Sequence, residues 1–372
     1  MAIVINGSGT VTGLSVGGLP DGTVDAGTLA TNSVDSAELV DGAVDDSHMA
    51  SISGRKNLVI NGDMVINQRG GTATINGTGV TYNVDRWLGR GVSSAGVFTL
   101  VQSASSCPDF RKALAATVTT ADSSIASGSS YRIQHFIEAQ NMMHLNWGNS
   151  NAKSITLSFW VLSTGPTGTF GGSIANGNYD RFNPFSYSIS AANTYEKKTI
   201  TISGDTSGTW ATDNTLGMRV NFSLGAGSSK VGTAGTWTSS SYEGVTGQTN
   251  FIATNGAALY ITGVQVEQGS TATNFEHRSY GEELALCQRY YQVHKEVYWG
   301  HAHVGTGNRI YHSFPVEMRA APTAADTTTA SQNTASNYTE NTYTMGWNSY
   351  VRGNANNVHA RWYADVTFTA DL

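Results

Sequence analysis

The chain has 372 residues, a net charge of −6 at pH 7 and only 13% charged residues. With 42 Gly and 10% aromatics, it fits neither a disordered polymer, which lacks aromatics, nor a helical enzyme, in which about 25% of residues carry charge. Asp21, Asp25, Asp35, Glu38, Asp41, Asp45 and Asp46 leave the rest of the chain nearly neutral. No basic field is present to hold nucleic acid, and no apolar run is long enough for membrane insertion.

Residues 1–20 open on Ile3-Val4-Ile5-Asn6-Gly7, without the basic and apolar regions of a signal peptide. Residues 21–50 divide into three decads with apolar anchors Val24, Leu29, Val34, Leu39, Val44 and Met49 every five residues. Five matches neither the helical period nor the strand period. Each decad reads as a short extended piece and one helical turn, too small to be stable alone. The repeat predicts an oligomeric stalk over 21–55.

From 56 to 278, segments alternate apolar and polar residues with period two: Val97–Val101, Tyr131–Ile137, Ile155–Val161, Thr199–Ser203, Met218–Leu224 and Leu259–Val266. Separated by Gly-, Asn- and Ser-rich turns, they predict a jelly-roll-like antiparallel β-sandwich. Gly263 marks a bulge in its strand, and Gly165–Gly172 reads as a turn. Ser279 and Glu282 form a capping box that predicts a linking helix over 279–292, with Leu284, Cys287 and Tyr291 on one face. Residues 293–372 return to aromatic-rich strand sequence and read as a small C-terminal β tip domain. Cys107 and Cys287 make no disulfide framework, which fits folding in a reducing cytoplasm.

Alternation on the Tyr131 strand places Arg132, Gln134, Phe136 and Glu138 on one side. On neighbouring segments, Thr156, Ser158 and Trp160, and Arg219, Asn221 and Ser223, lie opposite the apolar side. If these strands share a sheet, the face offers sugars aromatic rings for their C–H surfaces and planar donors for their hydroxyls. The competing reading makes the same face a subunit interface. At the tip, Tyr298, Trp299, Tyr311, Trp347, Tyr350, Trp362 and Tyr363 are too many for a small core to hide. Trp299, Trp347, Tyr350 and Trp362 are therefore further candidates for glycan contact. Asp63 and Glu267 offer hard oxygens for a structural Ca²⁺, although two acids make a sparse site. No catalytic residues emerge. The acids of the sandwich fall in no paired context, and nucleophile elbow, phosphate loop and zinc motifs are absent.

Four segments together resemble tail fibres, the receptor-binding proteins of tailed bacteriophages: the opening with Gly18-Leu19-Pro20-Asp21-Gly22; the decads; Asn57-Leu58-Val59-Ile60-Asn61-Gly62-Asp63-Met64 with Ile66-Asn67-Gln68-Arg69 and Asp85-Arg86-Trp87; and Gly263-Val264-Gln265-Val266-Glu267-Gln268-Gly269, running on through Ala272-Thr273-Asn274-Phe275-Glu276 to Cys287-Gln288-Arg289-Tyr290-Tyr291. Met318-Arg319-Ala320-Ala321-Pro322 fits the tip region of the same proteins, and the middle resembles β-sandwich carbohydrate-binding modules. The resemblance implies a homotrimer in the virion tail, assembled in the host cytoplasm. It implies an N-terminus docked on the tail or on an adaptor or baseplate protein, with Ile3, Val4 and Ile5 at its head. The distal domains would meet a host surface glycan without catalysis. The alternatives are a polysaccharide-cleaving tailspike and a purely structural tail component. His301 and His303 would point to one side of a strand, and three copies about an axis would offer six nitrogens to a transition metal, an arrangement similar to that of some fibre tips.

Overall fold

Period-two alternation becomes strands through most of the described chain. The computed structural model describes Val4–Ile5, Val11–Thr12 and residues 56–372 other than 94, 305–306 and 356–357. Two units are present, Met1–Ser53 and Gly54–Leu372. In the first, Val4–Ile5 pairs antiparallel with Val11–Thr12. Ile3 and the decads of 21–50 lie outside the described residues.

The second unit is mainly β and contains a jelly-roll-like sandwich. Its strands are β1 (Ala73–Asn76), β2 (Gly79–Tyr82), β3 (Trp87–Val92), β4 (Val97–Ala104), β5 (Lys112–Thr120), β6 (Ser130–Glu138), β7 (Ile155–Ser163), β8 (Gly168–Asn176), β9 (Phe182–Ile189), β10 (Glu196–Ile202), β11 (Leu216–Ala226) and β12 (Ala258–Gln268). One six-stranded sheet runs β10-β7-β12-β5-β4-β1 and the other β9-β8-β11-β6-β3-β2. Sequence neighbours such as β6 and β7 lie in opposite sheets, so each sheet supplies one wall of a shared core. Trp87, Phe98, Phe159, Phe170, Phe222 and Phe251 are completely buried in it. Phe159 of one sheet meets Phe222 of the other edge-on, with ring centroids 5.0 Å apart. Each ring that leaves water contributes about 1.5–3 kcal/mol.

The turn expected at Gly165–Gly172 is instead largely strand, because β8 begins at Gly168 and pairs with both β9 and β11. Gly172 fits there for want of a side chain, since a Cβ would lie 2.2 Å from the Asn221 carbonyl oxygen. The bulge expected at Gly263 is present. The β12–β7 register shifts between Thr262 and Gln265, and Gly263 adopts φ +59°.

Helix α1 spans Tyr280–Gln288. The Ser279 hydroxyl accepts from the Glu282 amide at 3.3 Å, and the Glu282 carboxylate accepts from the Ser279 amide at 3.2 Å. The helix is shorter than the expected 279–292. The Tyr290 amide turns back to the Cys287 carbonyl, and Tyr291 already belongs to a strand. Cys287 is buried beneath the helix with a thiol that burial pushes up. Beyond it, β13 (Tyr291–Ala302), β14 (Asn308–Ser313), β15 (Thr323–Gln332), β16 (Thr334–Tyr343), β17 (Gly346–Gly353) and β18 (Val358–Thr369) form two three-stranded sheets, β13-β18-β15 and β14-β17-β16. Trp347, Trp362, Phe314 and Phe368 fill the space between them.

Polar ties fix this second core to the sandwich. Arg289 holds Glu138 of β6 through two bonds of 2.9 and 2.7 Å, and the Tyr290 hydroxyl donates to the same carboxylate at 2.6 Å. Arg69 reaches Asp371 at 2.6 Å. The family-like motifs tie the start of the sandwich to its own strands and to the segment that follows β12. The Asn61 side chain bridges Ile66 and Asp85, the Asn61 carbonyl accepts from the Trp87 indole, and Glu276 accepts from the amides of Lys56 and Asn57.

Candidate functional site

The outer face of the β10-β7-β12-β5-β4-β1 sheet carries two hollows, together called the Trp160 groove, on successive outward residues of β7. Alternation sends Ser158, Trp160 and Leu162 of β7 outward. Register then sets Lys197 and Thr262 on either side of Trp160, and Tyr260 beside Leu162. The first hollow, about 340 Å³, is walled by Trp160, Phe110, Phe275 and His277, with Lys197 and Asp109 at its rim. The second, about 500 Å³, lies at Leu162 and is lined by Tyr195 and Tyr260.

The bulge shapes this floor. Phe110 lies directly over Gly263, where a Cβ would come within 2.4 Å of its ring. Phe275 meets Phe110 edge-on at 5.0 Å, and His277 stacks on Phe110 at 5.7 Å. The wall of the second hollow is fixed by a 3.1 Å hydrogen bond from the Ser105 hydroxyl to the Tyr195 hydroxyl, and burial raises that phenol above its ordinary value. Half-buried rings with hydroxyl, amide and ammonium groups at their edges suit a sugar, whose C–H face packs on an aromatic while its hydroxyls hydrogen-bond around it.

The structure sorts the sequence-predicted residues into three places. Arg132, Gln134 and Phe136 do share one face with Ser223, Asn221 and Arg219, as direct cross-strand neighbours on β6 and β11. Trp160 does not belong with them, because β7 lies in the opposite sheet. The shared face is also not open. Arg132, Gln134 and Phe136 are at most 4% exposed, and Arg132 is paired to Glu243, which in turn accepts from the Tyr179 hydroxyl.

At the tip, Trp347 and Trp362 are core residues rather than contact residues, 4% and 0% exposed. The Trp347 indole donates to buried Glu296, and its ring packs 4.6 Å from Phe368. Trp299 is 62% exposed with the Arg361 guanidinium 4.0 Å above its ring, and Tyr350 is half-buried against Tyr338. His301 faces His359 across the ladder with ring centroids 4.0 Å apart, while His303 lies exposed past the end of β13. Among the described residues, no three His, Cys, Asp or Glu side chains cluster as metal ligands. Glu267 accepts from Gln265 and Thr273, whereas Asp63, raised by burial, is acted on by His277 and Arg278.

Phe110, Phe275, His277, Tyr195 and Tyr260 were not singled out from sequence. A signal was present for two of them. Phe275 belongs to the family-like Ala-Thr-Asn-Phe-Glu segment, and Phe110 faces the glycine expected to bulge.

No family model matches the chain, and no curated protein matches it. Among solved structures it is similar to the enzymatically active domain of tailspike protein 4 of bacteriophage CBA120, with 15% identity over 57% of this chain and a TM-score of 0.26. The match spans about a fifth, 21%, of that domain. The chain is also similar to a family 11 carbohydrate-binding module of a cellulosomal cellulase from Clostridium thermocellum, with 10% identity, 53% of this chain, 99% of that one and a TM-score of 0.27. A third is a xylan-binding family 22 module from Paenibacillus barcinonensis, with 10% identity, 59% of this chain, 100% of that one and a TM-score of 0.26. At these scores none of the three places the chain in a family.

Proposed function

We propose that this chain is a phage tail fibre that attaches the virion to the host surface by binding a glycan in the Trp160 groove, without catalysis. The observation that carries the reading is the groove itself. An aromatic floor and polar rim lie along the outside of the sandwich, on the sheet that carries Trp160. The family-like segments, from the opening residues to the tip, support the assignment to a tail. In this reading the fibre is a homotrimer, with residues 1–20 docked on the tail or an adaptor or baseplate protein and 21–55 forming the stalk. Three grooves per fibre, and several fibres per particle, turn weak sugar affinities into firm attachment.

The test is binding of purified fluorescent fibre to host cells before and after their surface polysaccharide is stripped, with sugar release assayed in the same tube. Binding that vanishes on stripping, without release of reducing ends, is the expected result. Trp160→Ala should lower it at least tenfold. Release of reducing ends would assign the cleaving tailspike instead, and failure to bind intact cells would assign a structural tail part.

A further inference from the structure

The closed face of the other sheet holds an unusual concentration of positive charge for so weakly charged a chain. Cross-strand register places Arg90 of β3 directly beside Arg132 of β6, and Arg219 of β11 directly beside Phe136. The Arg132 and Arg219 guanidinium groups converge on the Tyr179 ring. Arg219 stacks 4.9 Å over Phe136 and 5.0 Å over Tyr179, and Arg132 lies 6.0 Å from the Tyr179 ring.

Among the described residues, the carboxylate acting on this set is Glu243, paired with one guanidinium nitrogen of Arg132. Arg132 is 1% exposed, and its Nε and second terminal nitrogen are buried without a hydrogen-bond partner. The Gln134 side-chain oxygen, on the same face of β6, has none either. Burial, with Arg90 and Arg132 acting against the neighbouring tyrosines, lowers Arg219 to about 10. Tyr179, which covers the cluster, adopts the left-handed backbone at φ +63°, a conformation a bulky residue takes only under constraint. The Asn176 side chain imposes it by accepting from the amides of Asp180 and Arg181.

Arg219 donates to the Asn176 and Gly177 carbonyls and Arg90 is partly exposed, so the buried cation of the set is Arg132. Burying a cation beyond what its partner satisfies costs stability, and Glu243 engages one nitrogen of the Arg132 fork while two stay unpartnered. A guanidinium presents donors in a planar fork that fits a carboxylate. An aromatic ring beside it fits the C–H face of a sugar. We propose that this face is a second ligand site, selective for a carboxylate-bearing sugar, a uronic acid unit of an acidic polysaccharide. The partly buried Arg90, Arg219, Tyr82 and Tyr179 meet the sugar first, and Arg132 forms the floor. Glu243 keeps one terminal nitrogen of Arg132, and the uronate carboxylate takes the two nitrogens of that guanidinium that have no partner.

The site lies on the opposite sheet from the Trp160 groove and stands or falls separately from it. The experiment is calorimetric titration of the full chain with tetra-galacturonate, with the corresponding glucuronate and mannuronate tetramers, and with each oligomer after reduction of its carboxyl groups. At least one uronate should bind, its reduced form at least tenfold more weakly, with affinity falling as salt rises. Arg219→Gln and Arg90→Gln should each lower uronate affinity at least tenfold while leaving the thermal midpoint within a few degrees of the parent. Trp160→Ala should leave it unchanged.

Equal binding of reduced and unreduced oligomers would overturn the proposal, as would arginine variants that bind like the parent or the absence of binding by all three uronates. Displacement by millimolar acetate or inorganic phosphate would also overturn it, by showing an anion site without sugar selectivity. Loss of uronate binding in Trp160→Ala alone would move the ligand to the groove, refuting this site while leaving the proposed function intact.

Discussion

The sandwich and the tip use the same aromatic chemistry in opposite ways. The large sandwich hides most of its rings between two six-stranded sheets, and several of those outside them line the groove. The tip has only three strands on each side and a core built on Trp347, Trp362, Phe314 and Phe368. Eight of the eleven exposed large apolar residues among those described, from Val293 to Met345, belong to it. On β13 this follows strand parity. Gln292, Glu296 and Tyr298 face inward, while Val293, Val297 and Trp299 face out. A sandwich of this size can satisfy itself, whereas a tip this small leaves apolar surface that calls for a neighbour.

The largest effect that would sharpen the contrast is loss of the tip core. Trp347→Ala should cost about 3–5 kcal/mol by cavity formation alone and leave Glu296 without its indole donor. Calorimetry should show an early transition while the near-ultraviolet signal of the sandwich rings persists. A single unshifted transition would mean that the two cores are less distinct than their packing indicates. Next, Arg132→Met should destabilise the sandwich by roughly 3–5 kcal/mol, because it strands buried Glu243. Pairing it with Glu243→Leu should recover much of that loss, which denaturant titration of both variants would show.

A smaller effect concerns association. Val297→Asp with Trp299→Asp should leave the thermal midpoint within about 2 °C, since both side chains are exposed, yet lower the mass seen by light scattering if this face joins copies of the chain. An unchanged mass would mean that this face does not join copies of the chain.

The smallest is a pH effect at the joint. Burial raises Asp371 above 3.8, and Arg69 and Arg86 offset this in part. A carboxylate raised in the folded state favours folding below its unfolded value and loses that contribution as pH rises through its folded value. The thermal midpoint of the parent minus that of Asp371→Asn should therefore increase as pH falls from 7 towards 4. A constant difference would mean that Asp371 does not titrate in that window.

Much of this fold was legible in the sequence, for identifiable reasons. Alternation found the strands with bulky apolar residues, such as Tyr131–Ile137 and Met218–Leu224, and fixed which side chains share a face. The capping box at Ser279 found the helix start, and Gly263 gave the bulge. Alternation says nothing of which strands become neighbours, so Trp160 was grouped with Arg132 although the two lie on different sheets. Strand β8 was missed because its glycines mimic a turn while in fact allowing close approach of β9 and β11. At the tip, counting aromatics showed that some must be exposed, but Trp347 and Trp362 were the ones taken in. Tyr179 and Glu243, which close the arginine face, come from turns with no periodicity, so only the folded chain reveals that they meet.

The triple attachment at Glu138 has a mechanical meaning. A pull on the tip reaches the sandwich through the Arg69–Asp371 pair and where Arg289 and Tyr290 grip that one carboxylate, at the end of β6 in the interior of its sheet. Inside the tip, β13 and β18 are paired along twelve residues, from Tyr291↔Thr369 to Ala302↔Val358. A tension along those strands must shear many hydrogen bonds together instead of unzipping them one by one. The joint is thus placed to bear load, and the first element to yield should be the short helix, whose last turn ends just before the grip.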